Sequence, residues 1–122
     1  MSEIKKTLVL GASPNPDRYS NLAVKRLRMR GHPVVAVGVK EGSIADVEIQ
    51  KGQPAENEID TVTMYLNPLR QKEYYDYIIN LKPKRIIFNP GAENSELEEL
   101  ANKNNIEPIE ACTLVMLSTG QY

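Results

Sequence analysis

Cysteine and histidine are almost missing from this chain: 122 residues contain one of each, Cys112 and His32. A single thiol excludes an internal disulfide and suits a reducing compartment, so a cytoplasmic location is expected. The chain also lacks a His/Cys/Asp set at metal-ligand spacing and a nucleophile placed beside a base. Neither a metal site nor a catalytic residue is therefore expected. An excess of either charge is lacking too. Fifteen Lys+Arg against 16 Asp+Glu give a formal charge of −1. That supplies no field for a nucleic acid, and no Lys/Arg block suits an anionic membrane. No apolar run approaches the roughly 20 residues that span a bilayer. Thr7–Leu10 is too short for the apolar core of a signal peptide. Internal repeats and low-complexity segments are absent. What is present, 41% apolar and 25% charged residues, is the composition of a soluble globular protein. Residues 1–122 are expected to form one domain, long enough to bury a single core.

Thr7–Gly11 reads as a short buried strand stopped by glycine. A helical pattern follows over about Asn21–Arg30, with Ala23, Val24 and Leu27 on one face. Gly31 stands where that helix would end in a left-handed residue. Val34–Val37 is a second strand, Val47–Gln50 a short third, and Thr61–Leu66 the next. Pro68 opens a helix to about Leu81, since proline is tolerated in a first turn. Lys84–Phe88 is a strand stopped by Asn89-Pro90-Gly91. The helix from Ser95 carries a capping-box spacing, Ser95 as the cap and Glu98 three residues on. Ile106–Ala111 is the last strand, and the tail after Cys112 forms a short helix. Strands alternate with helices throughout. That order predicts an α/β Rossmann-like three-layer fold with a mostly parallel sheet. Ligands of such sheets sit beyond the carboxyl ends of the strands. The loops Gly11–Ser20, Gly38–Gly42, Leu66–Pro68 and Asn89–Asn94 all fall there, and all are polar or rich in Gly and Pro.

The first loop can hold a phosphate. Gly11 permits close backbone approach, Ser13 offers a hydroxyl, and the N–H groups around Gly11–Ser13 can form an anion-binding concavity. The next helix adds unpaired N–H donors, and Arg18 adds a bidentate fork. The plainer alternative is a solvated connection stiffened by Pro14 and Pro16, with Arg18 meeting only Asp17. The dinucleotide fingerprint G-x-G-x-x-G does not fit, because its second and third positions are Ser13 and Pro16. After the second strand the first charged residue is Lys40. It suits a ligand with an extra phosphate near its ribose better than it suits NAD, where an acid is expected.

These residues resemble a known family. "VLGASPNPDRYSNLAVKRLRMRGHPVVAV" is similar to the opening of small CoA-binding proteins of Rossmann type. Those are stand-alone relatives of the CoA-binding domain of succinyl-CoA synthetase alpha chains. Gly11, Ala12, Ser13, Pro16 and Arg18 match the first part of the family pattern, and Gly31, Pro33, Val34 and Val37 the second. "IDTVTMYLNP" and "IIFNPGAENSELEELANKNNIEPIEACT" resemble its later motifs, so the likeness covers nearly the whole chain. The pattern breaks at Tyr19, Asn21, Leu22, Gly38 and Val39, and Leu22 replaces an arginine. The resemblance implies that Gly11, Ala12, Ser13, Arg18 and Ser20 hold the phosphates of CoA, and that Lys40 lies near the adenosine. It implies that Leu66, Asn67 and Pro68 border the ligand and that Asn89, Gly91 and Ala92 line the pantetheine side.

Other candidates have plainer accounts. His32 lies in the turn before the second strand, away from the ligand loops. Cys112 lacks a positive partner, Glu110 having the wrong charge, and reads as a structural thiol. Glu93, Glu96, Glu98 and Glu99 suit the first turns of a helix. Tyr74, Tyr75 and Tyr77 suggest a partner surface, but at helical spacing the plainer account is that one or two of them pack with Ile78 and Leu81. The expected function is binding of a small nucleotide ligand, CoA or an acyl-CoA, without catalysis. Two alternatives stand beside it: an NAD(P)- or other nucleotide-dependent enzyme or enzyme subunit, and an acyl-CoA-responsive regulatory module with a protein partner. Association with a second copy stays open.

Overall fold

A computed structural model describes residues 3–122. The apolar runs become seven strands: β1 (Thr7–Leu10), β2 (Val34–Val37), β3 (Ser43–Ile44), β4 (Val47–Gln50), β5 (Thr61–Met64), β6 (Arg85–Phe88) and β7 (Glu107–Glu110). They form one sheet in the order β3-β4-β2-β1-β5-β6-β7. Every pairing is parallel except β3 with β4. Without β3 this is the strand order of a doubly wound nucleotide-binding sheet. The chain winds outward from β1 through β2 to β4, returns to pair β5 with β1, and winds outward again through β6 to β7. The direction of winding therefore reverses between β1 and β5.

Helices cover both faces. On one side α1 (Tyr19–Met29) and α5 (Thr113–Ser118) bring Val24, Leu27 and Leu117 onto Val9, Ala36 and Ile49. On the other, α3 (Tyr75–Leu81) and α4 (Ser95–Lys103) bring Ile78, Leu97 and Ala101 onto Leu8, Leu10, Val62, Met64, Ile86 and Phe88. Alternate strand residues thus feed opposite cores, as the period of two requires. Both faces of β1 and β5 are buried, which explains their unbroken apolar or threonine-bearing runs. Tyr74, Tyr75 and Tyr77 all pack against the second core, where one or two were expected. No helix among the described residues is long and apolar enough to cross a membrane.

Some local expectations change. β3 was not foreseen. It exists because Ser43 and Ile44 pair with Glu48 and Val47 across a turn at Ala45–Asp46, and Arg28 grips that turn through Asp46 with two bonds of 2.9 Å. The helix expected over Pro68–Leu81 is broken into α2 (Pro68–Gln71), a 3₁₀ turn (Lys72–Tyr74) and α3. At the break, the Glu73 carbonyl accepts from Gln53 Nε2 at 2.9 Å. The cap of α4 is Asn94, not Ser95. Asn94 is in extended backbone, and its Oδ1 accepts from Glu96 and Leu97 N–H. The Glu98 carboxylate reaches back to Asn94 N–H at 3.3 Å, so the reciprocal box is centred one residue earlier.

At the amino ends of the strands, His32 is buried. Its Nδ1 accepts from Lys5 N–H at 2.9 Å, so that nitrogen is unprotonated. Its ring meets Tyr122 with centroids 5.1 Å apart. Burial, then the positive charges of Lys5, Arg30 and Arg85, lower its pKa below the usual histidine value. The unfolded chain therefore takes up the proton first as pH falls. Stability is complete above the ordinary histidine pKa of about 6.5 and declines as pH drops below it. Melting temperatures at about pH 7.5 and about pH 5.5 should show this drop. The drop should be smaller in His32→Asn, which keeps an acceptor for Lys5 N–H but cannot titrate.

Candidate functional site

Beyond the carboxyl ends of β2, β1, β5 and β6 lies a crevice of ≈ 460 Å³, over the point where the winding reverses. Its inner wall is made by a close approach of two loops. Gly11 and Ala12 N–H both donate to the Val37 carbonyl, at 3.0 and 2.9 Å. This folds the loop after β1 down over the end of β2. Gly11 stands at φ +94°, and a Cβ there would lie 3.1–3.2 Å from the Tyr65–Leu66 backbone. At Gly38 a Cβ would lie 2.1 Å from the Ala12 carbonyl oxygen, which no shift of a side chain relieves. Glycine at 38 is therefore what lets the first loop sit where it does. Ser13 is held next: its carbonyl accepts from the buried Asn21 Nδ2 at 2.9 Å, and its hydroxyl accepts from Asn15 N–H at 3.1 Å. α1 then begins without a side-chain cap, because the capping residue is Arg18, which has no acceptor. The open N–H groups of the first turn remain for an outside acceptor.

The electrostatics of the lining are one-sided. Arg18, Lys40 and Arg70 contribute three positive charges, and the lining holds no Asp, Glu, His or Cys. All three cations are exposed, and none makes an ion pair among the described residues. The suggestion that Arg18 meets Asp17 does not hold: Asp17 N–H instead donates to Asn15 Oδ1. The floor includes Tyr65, whose hydroxyl is buried without a hydrogen-bond partner in the protein. Burial pushes its pKa well up. The neighbouring Cys112 adds to the rise, and the Thr113 and Thr63 hydroxyls oppose it. Among the described residues no cluster of His, Cys, Asp and Glu could hold a metal ion.

Of the residues expected at the site, the structure brings eight together in this lining: Gly11, Ala12, Ser13, Arg18, Ser20, Lys40, Leu66 and Asn67. Pro68 and Gly91 are exposed outside it. Asn89 and Ala92 turn inward. Asn89 Nδ2 donates to Thr63 Oγ1 and the Met64 carbonyl, and its Oδ1 accepts from Thr113 N–H at 2.8 Å. Asn89 thus ties β5 to the start of α5. The Ala92 carbonyl accepts from Gln71 Nε2. The lining also includes Tyr19, Gly38 and Val39, which lie in the loops expected there but were noted only as breaks in the family pattern, and Tyr65, Arg70 and Tyr74, which the sequence did not single out. A cation two residues past the Asn67–Pro68 turn was the one available signal for Arg70.

The wall makes a prediction of its own. Gly38→Ala forces Ala12 away from Val37 and should lower unfolding free energy by about 1–3 kcal/mol, read from urea denaturation.

A family model described as CoA binding domain matches residues 5–118. No curated protein matches the chain significantly. Among solved structures, an uncharacterized protein is 50% identical, with a TM-score of 0.96, covering 99% of this chain and 100% of its own. A hypothetical protein from Pyrococcus horikoshii OT3 is 23% identical with a TM-score of 0.85, covering 95% and 83%. A protein from Thermus thermophilus is 18% identical with a TM-score of 0.85, covering 98% and 91%. The last two share the fold.

Proposed function

From the premise that the chain belongs to the CoA binding domain family, we propose that its crevice grips CoA by the phosphates and performs no chemistry of its own. The observation that carries this reading is the pair of unpaired cations, Arg18 and Lys40, on the side of the crevice where α1 starts uncapped, with no carboxylate among the lining residues. The diphosphate meets the Gly11–Ser13 loop, the first turn of α1 and the Arg18 fork. Lys40, beyond β2, is the partner for the phosphate on the ribose. The pantetheine arm then runs across the end of β1 toward β5 and β6, over Tyr65 and Leu66. Acyl-CoA is accepted in the same pose, since the thioester changes only the far end of that arm. A lining free of His, Cys, Asp and Glu supports binding rather than acid–base or nucleophilic work.

Calorimetry with CoA, acetyl-CoA, NAD, NADP and ATP tests this. CoA and acetyl-CoA should bind more tightly than the dinucleotides. A clear response to NAD or NADP with none to CoA would overturn the reading. Arg18→Ala should weaken CoA by about tenfold, the effect of losing one charge-assisted contact, with the melting temperature unchanged. Unaltered affinity removes Arg18 from the cradle.

A further inference from the structure

We propose that the β5–β6 end of the crevice selects CoA thioesters whose acyl group carries a free carboxylate, with Arg70 as its partner and Tyr74 beside it. This rests on the CoA reading above and adds the class of acyl group to it. Neighbouring strands are about 4.8 Å apart, so the four strand ends under the crevice span about 14 Å. The cations are spread along that span. Lys40 follows β2, Arg18 follows β1, and Arg70 follows β5. The uncapped start of α1 lies with the first two, and that half meets the needs of a nucleotide's phosphates. The other half receives the arm and whatever the sulfur carries. Its walls are Leu66, Asn67, Tyr74 and Pro90, and its one charge is Arg70.

Arg70 is free at its tip and fixed at its base. The guanidinium is exposed and makes no ion pair among the described residues. Its own N–H donates to Asn67 Oδ1 at 3.0 Å. The next residue, Gln71, is fully buried and donates from Nε2 to the Leu66 and Ala92 carbonyls, both at 2.8 Å. Gln71 Oε1 accepts from Asn94 Nδ2 at 2.9 Å. The backbone under Arg70 is therefore tied to two loops, the one after β5 and the one between β6 and α4. Tyr74 is near enough for the charge of Arg70 to oppose the rise that burial and Glu73 cause in its hydroxyl pKa. Glu73 itself is not part of the lining. A planar fork and a phenolic residue lining the same end of the crevice match a carboxylate, which accepts two parallel N–H bonds and a third from an O–H. An uncharged acyl chain would leave that fork in water.

Matched pairs of thioesters test this, measured by calorimetry at about 0.15 M salt, where charges more than about 8 Å apart are screened. The pairs are malonyl-CoA with propionyl-CoA and glutaryl-CoA with valeryl-CoA. At least one carboxylate member should bind about tenfold more tightly than its uncharged match. In Arg70→Gln that preference should vanish while affinity for free CoA stays the same, and Arg70→Lys should restore part of it. Equal affinities within both pairs overturn the proposal. An equal loss for free CoA and every thioester in Arg70→Gln also overturns it, because Arg70 then serves the phosphates. Binding of no CoA species at all is a different result: it removes the CoA reading and this one with it.

Discussion

Two N–H groups, those of Gly11 and Ala12, converge on one carbonyl, that of Val37. Much of the site follows from this contact. It bends the chain leaving β1 across the end of β2, so the loop lies over the sheet instead of standing away from it. The contact needs an empty position at residue 38, where any Cβ would collide with the Ala12 oxygen. With the loop held down, Asn21 of α1 can reach the Ser13 carbonyl. That fixes the start of α1 against the crevice and aims its open end inward. A loop placed by backbone bonds and steric exclusion does not need further glycines to approach a ligand, which is why one glycine suffices where a dinucleotide site uses three.

The cations of the crevice make no ion pair among the described residues, although Asp17 adjoins Arg18 and Glu73 lies three residues from Arg70, and four other acids are engaged elsewhere. Glu56 pairs with Lys6, Asp46 with Arg28, Glu41 with Lys51 and Asp60 with Lys84, all away from the crevice lining. A chain of net charge −1 thus places three cations and no acid among the residues that line the crevice. Exposure holds the stability cost down, since each cation remains hydrated until an anion replaces the water. The same exposure makes these side chains reporters of ligand chemistry more than of folding.

Much of the fold was legible in the sequence because its signals are local. Short apolar runs punctuated by Gly and Pro mark strands, and their alternation with helical patterns dictates a parallel sheet. The loop beginning at Gly11 and the cation at Arg18 were legible for the same reason. Gly38 was visible only as a departure from a family pattern, because its necessity arises from Ala12, which is remote in sequence. Asn89 and Ala92 were expected to line the pantetheine side. Whether a strand-end residue turns inward depends on the pleat and on partners such as Thr63 and Thr113, which no spacing rule supplies. Asn94 and Ser95 are both good caps, and the choice between them is made by Gln71 and Tyr75, which hold Asn94 Nδ2 from across the core.

That choice links the core to the far end of the crevice. Gln71 is a fully buried polar side chain whose three hydrogen bonds are all made inside the protein. Replacing it with an apolar residue would strand the buried Ala92 carbonyl, at a cost of about 1–3 kcal/mol, and would take one partner each from the Leu66 carbonyl and the Asn94 amide, which keeps Tyr75. A polar group kept at such a position is useful where the loop after β5 and the loop between β6 and α4 must be registered to each other. The wall carrying Leu66 and Arg70 is thereby held by directional bonds, as the opposite wall is held at Val37. Between two walls set in this way, the fit of a ligand depends on the few groups that remain free to move: the tips of Arg18, Lys40 and Arg70, and the exposed rings and side chains of Tyr19 and Val39. Selectivity then resides in those tips, while the fold fixes only where each of them begins.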